Sequence, residues 1–237
     1  MVTAKIALVG GPCGGKTSSI SFIVGELEKH GISVKTVDET ASLLFDLGFA
    51  PGTNISIFDF QNLLLKIQFM KEYISEGKSK VLLCDRGIFD SKVYIGNEEF
   101  KQILLLNKLD ETEISSTYDG ALYFRSISHE YPNEFAIQRI YETPEIGAMR
   151  DELSEDIWSN FIIPCEYSNL DGFENKQNVL CSTLIDCLGT LDLTRMRNLS
   201  DYYDSNHCNF IYNGINDILD KNEFDGDVKI KIRSLIK

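Results

Sequence analysis

Positive charge is the scarcest commodity in this chain. Its 23 lysines and arginines face 36 acidic residues, giving a formal net charge of −13 and a pI near 4.7. Non-specific binding to nucleic acid or to anionic membrane needs a basic face. Nucleic acid is therefore not an expected partner, and a lipid contact is left only to a local patch; an anionic ligand must be met at a local positive site. Histidine is nearly missing, with 3 residues far apart, and the 6 cysteines (Cys13, Cys84, Cys165, Cys181, Cys187, Cys208) form no C-x-x-C pair. That pattern reads as a reducing compartment without structural zinc. No apolar run approaches the roughly 18 residues of a membrane span. The chain enters its first strand within a few residues, so no cleavable leader and a cytoplasmic location are expected. Repeats and low-complexity stretches are missing too. The 237 residues suit one large α/β domain with a real core better than two enzyme domains.

What is present begins at Lys5. The apolar run Ile6-Ala-Leu-Val9 breaks into Gly10-Gly-Pro-Cys-Gly-Gly15 and then Lys16-Thr17, which fits G-x-x-x-x-G-K-[ST] behind a buried strand. A di- or triphosphate is best held by backbone N–H groups converging at the positive end of a helix. Gly10, Gly11, Gly14 and Gly15 let the backbone come close, and Pro12 stiffens the loop. Cys13 is a small filler whose thiol lies near a helix N-terminus. Lys16 is expected to reach the β- and γ-phosphates, and the Thr17 hydroxyl to ligate Mg²⁺. The amphipathic stretch from Ser18 to His30 completes the unit. The nucleotide-binding set is thus Gly10 to Gly15 with Lys16, Thr17 and Ser18, for ATP or GTP with Mg²⁺.

Further along, apolar residues at helical spacing run to Lys29 and stop at Gly31; Ile32 to Val37 is a second strand that delivers Asp38-Glu39-Thr40 at its C-terminal end, where open α/β sheets present ligands. A short helix over Ala41–Leu47 closes at Gly48. Ser56 caps a long helix through Glu76, ended by Gly77. Lys80 to Asp85 is a buried strand whose terminal carboxylate suits Mg²⁺ or its water beside the phosphate loop; capping of the next helix is the plainer use of Asp85. The planar guanidinium of Arg86 suits phosphate, and an ion pair to Asp90 or Glu39 is its plainer use. Asn97–Asp110 is helical in pattern and Tyr118–Ser126 is a fourth strand. The polar, irregular stretch from Ser128 to Ile146 is expected to form a lid carrying Arg139, or else a solvated loop. A helix from Pro144 to Phe161, a last short strand at Cys165–Asn169 and a helix from Gly172 to Leu188 follow. Strand, loop and helix alternate five times, so the expected fold is a P-loop three-layer α/β sandwich with a five-stranded parallel sheet, helices on both faces and a kinase-like lid. It occupies residues 1–190, and 191–237 form a helical extension. Asn107-Lys108-Leu109-Asp110 matches the N-K-x-D guanine-reading motif, but its helical spacing and the lack of a D-x-x-G partner favour a helix end.

Taken together, GGPCGGKTS, Glu39-Thr-Ala, Phe60-Gln61 with Gln68, CDRG, YDGALYF, Arg139-x-x-Glu142-Thr-Pro-Glu145, Trp158 and SNLDGFENK resemble one P-loop ATPase family. That family is shared by the nicotinamide riboside kinase part of the NAD-salvage protein NadR and by the TRPL-translocation-defect protein, and it is similar to thymidylate and deoxynucleoside kinases. The likeness spans roughly residues 1–188. It departs at Asn133-Glu134-Phe135 and at Lys176-Gln177, where the family often has a second Asn and an Arg, and the triphosphate-tunnel domain of the translocation-defect proteins is not expected in the roughly 47 residues after Thr190. The resemblance implies a small-molecule, nucleoside- or nucleotide-type kinase. Lys16, Asp85, Arg86 and Arg139 would act on the phosphates, Glu39 would serve as base towards an acceptor that the sequence does not name, and Thr17 and Asp85 would hold the metal. The alternative is a regulatory ATP- or GTP-binding switch that signals to a protein or phosphoinositide partner.

Overall fold

A computed structural model describes residues 3–128, 143–165, 167, 169–192 and 196–236. Four strands form one parallel sheet: β1 (Ala4–Val9), β2 (Val34–Val37), β3 (Val81–Asp85) and β4 (Gly120–Tyr123), in the order β2-β3-β1-β4. The described helices are α1 (Lys16–Lys29), α2 (Thr40–Asp46), α3 (Ile57–Ser75), α4 (Lys92–Leu106), α5 (Glu111–Ser115), α6 (Pro144–Trp158), α7 (Phe173–Thr190), α8 (Ser205–Lys221) and α9 (Gly226–Leu235).

Strand geometry sends alternate residues of β1 to opposite faces. Ile6 and Leu8 join Ile23 and Leu27 of α1 and Leu180 and Leu184 of α7 in one core; Ala7 and Val9 join Leu63, Ile67 and Phe69 of α3 in the other. Helices therefore cover both faces, as parallel sheets require. Burying each large apolar side chain contributes on the order of 1.5–3 kcal/mol. Lys5 shares the α3 face with Ala7, so a lysine enters a dry core. Glu72 of α3 and Glu76, the C-cap residue that follows it, meet its Nζ at 3.1 and 2.7 Å. The α3 core extends to Ile211, Ile215 and Leu219 of α8, and Phe49 stacks on Phe224 with ring centroids 4.0 Å apart.

The helix signals act as their chemistry dictates. Ser56 Oγ accepts from the Asp59 N–H at 3.0 Å to start α3, and Gly31 and Gly77 follow α1 and α3 with φ of 71° and 73°. Asn107 is the buried C-cap of α4, donating to Asn62 Oδ1 at 2.8 Å and the Ile103 carbonyl at 2.7 Å, while Asp110 caps α5 by accepting from the N–H groups of Thr112 and Glu113. The N-K-x-D tetrapeptide is a helix junction.

Two expectations are corrected. The helix placed from Asn97 begins at Lys92 and is broken at Gly96, whose φ is 74°. Among the described residues the sheet has four strands, not the five expected. Of the strand expected at Cys165–Asn169, residues 166 and 168 lie outside the described residues, and what the described chain adds beside β4 is one bridge between Ala121 and Ile162, in which Ala121 N–H donates to Phe161 O and Ile163 N–H to Ala121 O. Pro164 follows with no N–H and a fixed φ. The Tyr167 hydroxyl then takes the place of the ladder, donating to Tyr123 O at 2.7 Å and accepting from Arg125 N–H at 2.6 Å.

Candidate functional site

The site lies at the C-terminal edge of the sheet, where β1 and β3 end side by side, Leu8 opposite Asp85. The chain leaves β1 through Gly10, at φ 120°; a Cβ there would stand 2.2 Å from the Phe124 carbonyl oxygen, and one at Gly14 2.4 Å from the same atom. The glycines thus let the loop lie against the end of β4, a packing demand that exists before any ligand is considered. Side chains pin the loop further. Gly10 N–H donates to Ser154 Oγ at 2.9 Å and Gly11 N–H to Asp151 Oδ1 at 2.6 Å; Ser126 Oγ donates to Pro12 O at 2.7 Å and Lys176 Nζ to Gly14 O at 2.8 Å. The sequence reading missed Asp151, Ser154 and Ser126 in this role. A Ser three residues after an Asp on one helix face is too common a pattern to have flagged them.

No side chain caps α1, because its N-cap is Gly15, and its first turn carries no acid. The first-turn N–H groups have no intrahelical partner and face a cavity of about 540 Å³ lined by Cys13, Gly14, Gly15, Lys16, Thr17, Ser18, Glu39, Arg86 and Phe173. Positive dipole, free N–H groups and a lysine on one cavity make an anion site. Lys16 is buried, and its Nζ donates to the carbonyls of Gly10 at 2.9 Å and Gly11 at 2.5 Å. Burial, joined by the neighbouring Arg86 charge, pulls its pKa down to about 7 against the pull of Asp85, Asp90 and Glu39.

Thr17 Oγ1 donates to Asp85 Oδ2 at 2.6 Å. The other carboxylate oxygen, Asp85 Oδ1, is buried without a hydrogen-bond partner among the described residues. Burial raises the Asp85 pKa, the Thr17 hydrogen bond opposing it. A hydroxyl beside a desolvated carboxylate with a spare oxygen fits Mg²⁺, which takes few protein ligands and shares phosphate oxygens and water.

Arg86, one residue on, sits at φ 74°, a strained position for a non-glycine residue. Its Nε donates to Glu39 Oε1 at 2.7 Å and its Nη1 to Asp90 Oδ1 at 3.3 Å. Both ion pairs that the sequence offered as its plainer use are therefore made. Glu39 also accepts from Ser42 Oγ. Burial would raise its pKa, but Arg86 and these hydrogen bonds outweigh that and hold it down to about 2. A second cavity of about 490 Å³ opens on the other side of the Glu39–Arg86 pair, with Phe45, Phe60, Gln61, Gln68, Tyr94 and Arg150 among its lining. Gln61 Oε1 is buried there without a hydrogen-bond partner among the described residues. Phe173, half exposed on the first cavity, is another residue to which no role was assigned from sequence.

The structure brings together Lys16, Thr17, Glu39, Asp85 and Arg86 with the whole loop. Arg139 and residues 129–142 of the expected lid lie outside the described residues, while its last residues, Pro144 to Ile146, open α6. Among the described residues no helix is long and apolar enough to cross a membrane.

Residues 5–166 match the family model described as AAA domain, well over half of the chain, so this chain belongs to that family of P-loop ATPase-type domains. No curated protein matches it. Its loop is accordingly a nucleotide-binding element of NTPase or kinase-like type.

Proposed function

We propose that the chain is an ATP- and Mg²⁺-dependent kinase of a small, hydroxyl-bearing acceptor. The observation that carries this reading is that the phosphate cavity and the second cavity meet at one shared pair, Glu39 and Arg86. A nucleotide needs only the first cavity. A second one, walled by the stacked rings of Phe45 and Phe60, 5.4 Å apart, and floored by polar groups, has the character of a small-molecule site. The resemblance to the NadR kinase part supports the same reading.

In it, the loop amides and Lys16 bind the triphosphate, and Phe173 offers its exposed face to the nucleobase. Thr17 and Asp85 would hold Mg²⁺, which neutralises charge developing on the phosphates. Glu39 is ionised at neutral pH and accepts a hydrogen bond from the acceptor hydroxyl. While Arg86 holds it, Glu39 is a weak base; as Arg86 turns towards the transferring group, its basicity rises, so one movement prepares both residues.

The test offers Mg·ATP with a panel of nucleosides and phosphorylated metabolites and measures ADP formation. One acceptor class is expected to accelerate it, and Glu39→Gln to slow that reaction by roughly 10²–10⁴-fold at unchanged nucleotide affinity. ADP formation indifferent to every acceptor and to Glu39→Gln would overturn the reading in favour of a regulatory NTPase.

A further inference from the structure

Glu39 and Arg86 leave the tips of different strands, β2 and β3, yet they are held within one hydrogen bond of each other. We infer that Gln68, buried on α3, is the positioning residue that sets this pair, and that it does so by tying both strand tips to a closed polar network beneath the sheet. The inference rests on the reading that Glu39 and Arg86 face the transferred group.

Each hydrogen-bonding group of the Gln68 amide is used. Its Oε1 accepts from Thr40 Oγ1 at 2.6 Å, one residue after Glu39; its Nε2 donates to the Arg86 carbonyl at 3.3 Å and to Glu72 Oε1 at 2.9 Å. The flipped amide would set its NH₂ against the Thr40 hydroxyl and its oxygen against two acceptors, so the network itself fixes the orientation. Glu72 in turn accepts from Lys5 Nζ at 3.1 Å and from the Tyr118 hydroxyl at 2.8 and 3.0 Å, and that hydroxyl accepts from Ile88 N–H at 2.9 Å, two residues after Arg86. Gln68 and Glu72 are 2 % and 0 % exposed. A buried network with every member paired is stiff, and its failure is costly. What it stiffens here is unusual: the Arg86 peptide at φ 74°, a conformation that persists only where the surroundings impose it. An apolar residue at 68 would pack equally well against α3's neighbours and hold neither tip.

The test compares Gln68→Met, of similar length and with no hydrogen-bonding amide, with wild type. ADP formation from Mg·ATP is expected to fall roughly 10–100-fold, as a misplacement of about 1 Å can cost, with the Michaelis constant for Mg·ATP unchanged. The same substitution made on Glu39→Gln is expected to cost little more, since the pair it positions is already broken. An activity-free arm reads the Arg86 Nε–H signal by NMR, identified by its loss in Arg86→Lys. In Gln68→Met it moves towards the position of a solvated arginine. Thr40→Val, which removes one tie only, moves it the same way and serves if the Met variant does not fold. An unmoved Arg86 signal, or losses in turnover and Michaelis constant together that add fully to Glu39→Gln, would overturn the positioning role. Wild-type turnover in Glu39→Gln alone would instead strike the reading of the site and leave the NMR arm to decide on Gln68.

Discussion

Lys5 and Lys16 flank the same strand-to-loop turn and are almost wholly buried, at 1 % and 6 % exposure, yet their charges are pushed in opposite directions. For Lys5 burial works against the cation, but Glu72 and Glu76 outweigh it and its pKa is raised. For Lys16 burial and Arg86 win, and the pKa falls to about 7. The first lysine has its counter-charges built into α3 and its C-cap. The second lies beside loop carbonyls, with a positive helix end and a guanidinium for company and an open cavity in front. A buried cation matched by protein carboxylates is a strut, and one left short of negative charge stands to gain from an incoming polyanion.

The comparison is broken most forcefully at Lys5. Lys5→Met leaves two carboxylates facing each other in the core and is expected to cost about 3–5 kcal/mol in urea unfolding, whereas Lys16→Met in the free protein should cost under about 1 kcal/mol; equal losses would erase the distinction. Next comes pH. The free Lys16 loses its proton through about pH 7, whereas a bound polyanion retains it, so binding takes up a proton and Mg·ATP affinity falls as pH rises above 7. The slope approaches tenfold per unit at most, it is absent in Lys16→Met, and a flat wild-type calorimetric profile from pH 7.5 to 9 would contradict it. Thr17→Ala or Asp85→Asn is expected to raise the Mg²⁺ needed for half-saturation about tenfold with less change in affinity for metal-free ATP; equal losses would remove both residues from the metal. Smallest is Asp110→Ala, which deletes the cap of α5 for about 1 kcal/mol and leaves the ratio of GTP to ATP affinity unchanged. A selective loss of GTP affinity would make that tetrapeptide a base reader after all.

The side of the site around Lys16 was legible in sequence because its chemistry is local: Gly10 to Thr17 are consecutive, and Asp85 closes an apolar run. The side around Lys5 was not. Nothing in the sequence joins Lys5 to Glu72, Gln68 to Thr40, or Gly11 to Asp151; only β1 packing on α3, and α6 packing on the loop, brings them together. The same limit explains why no fifth strand is seen among the described residues. Apolar residues around Cys165 carry strand propensity, but whether a ladder continues is set by Pro164 and by where the Tyr167 hydroxyl lands, and the second of these is a tertiary fact. Arg86 shows an intermediate case: its type announced a phosphate or an ion pair, and its left-handed backbone could not have been read from type alone.

The most direct test of the strut-and-site distinction is calorimetric titration of Mg·ATP into the wild type, Lys5→Met and Lys16→Met side by side. The account predicts binding by wild type, undiminished affinity in whatever Lys5→Met remains folded, and a loss on the order of 100-fold or more in Lys16→Met. Equal affinity in wild type and Lys16→Met would contradict it.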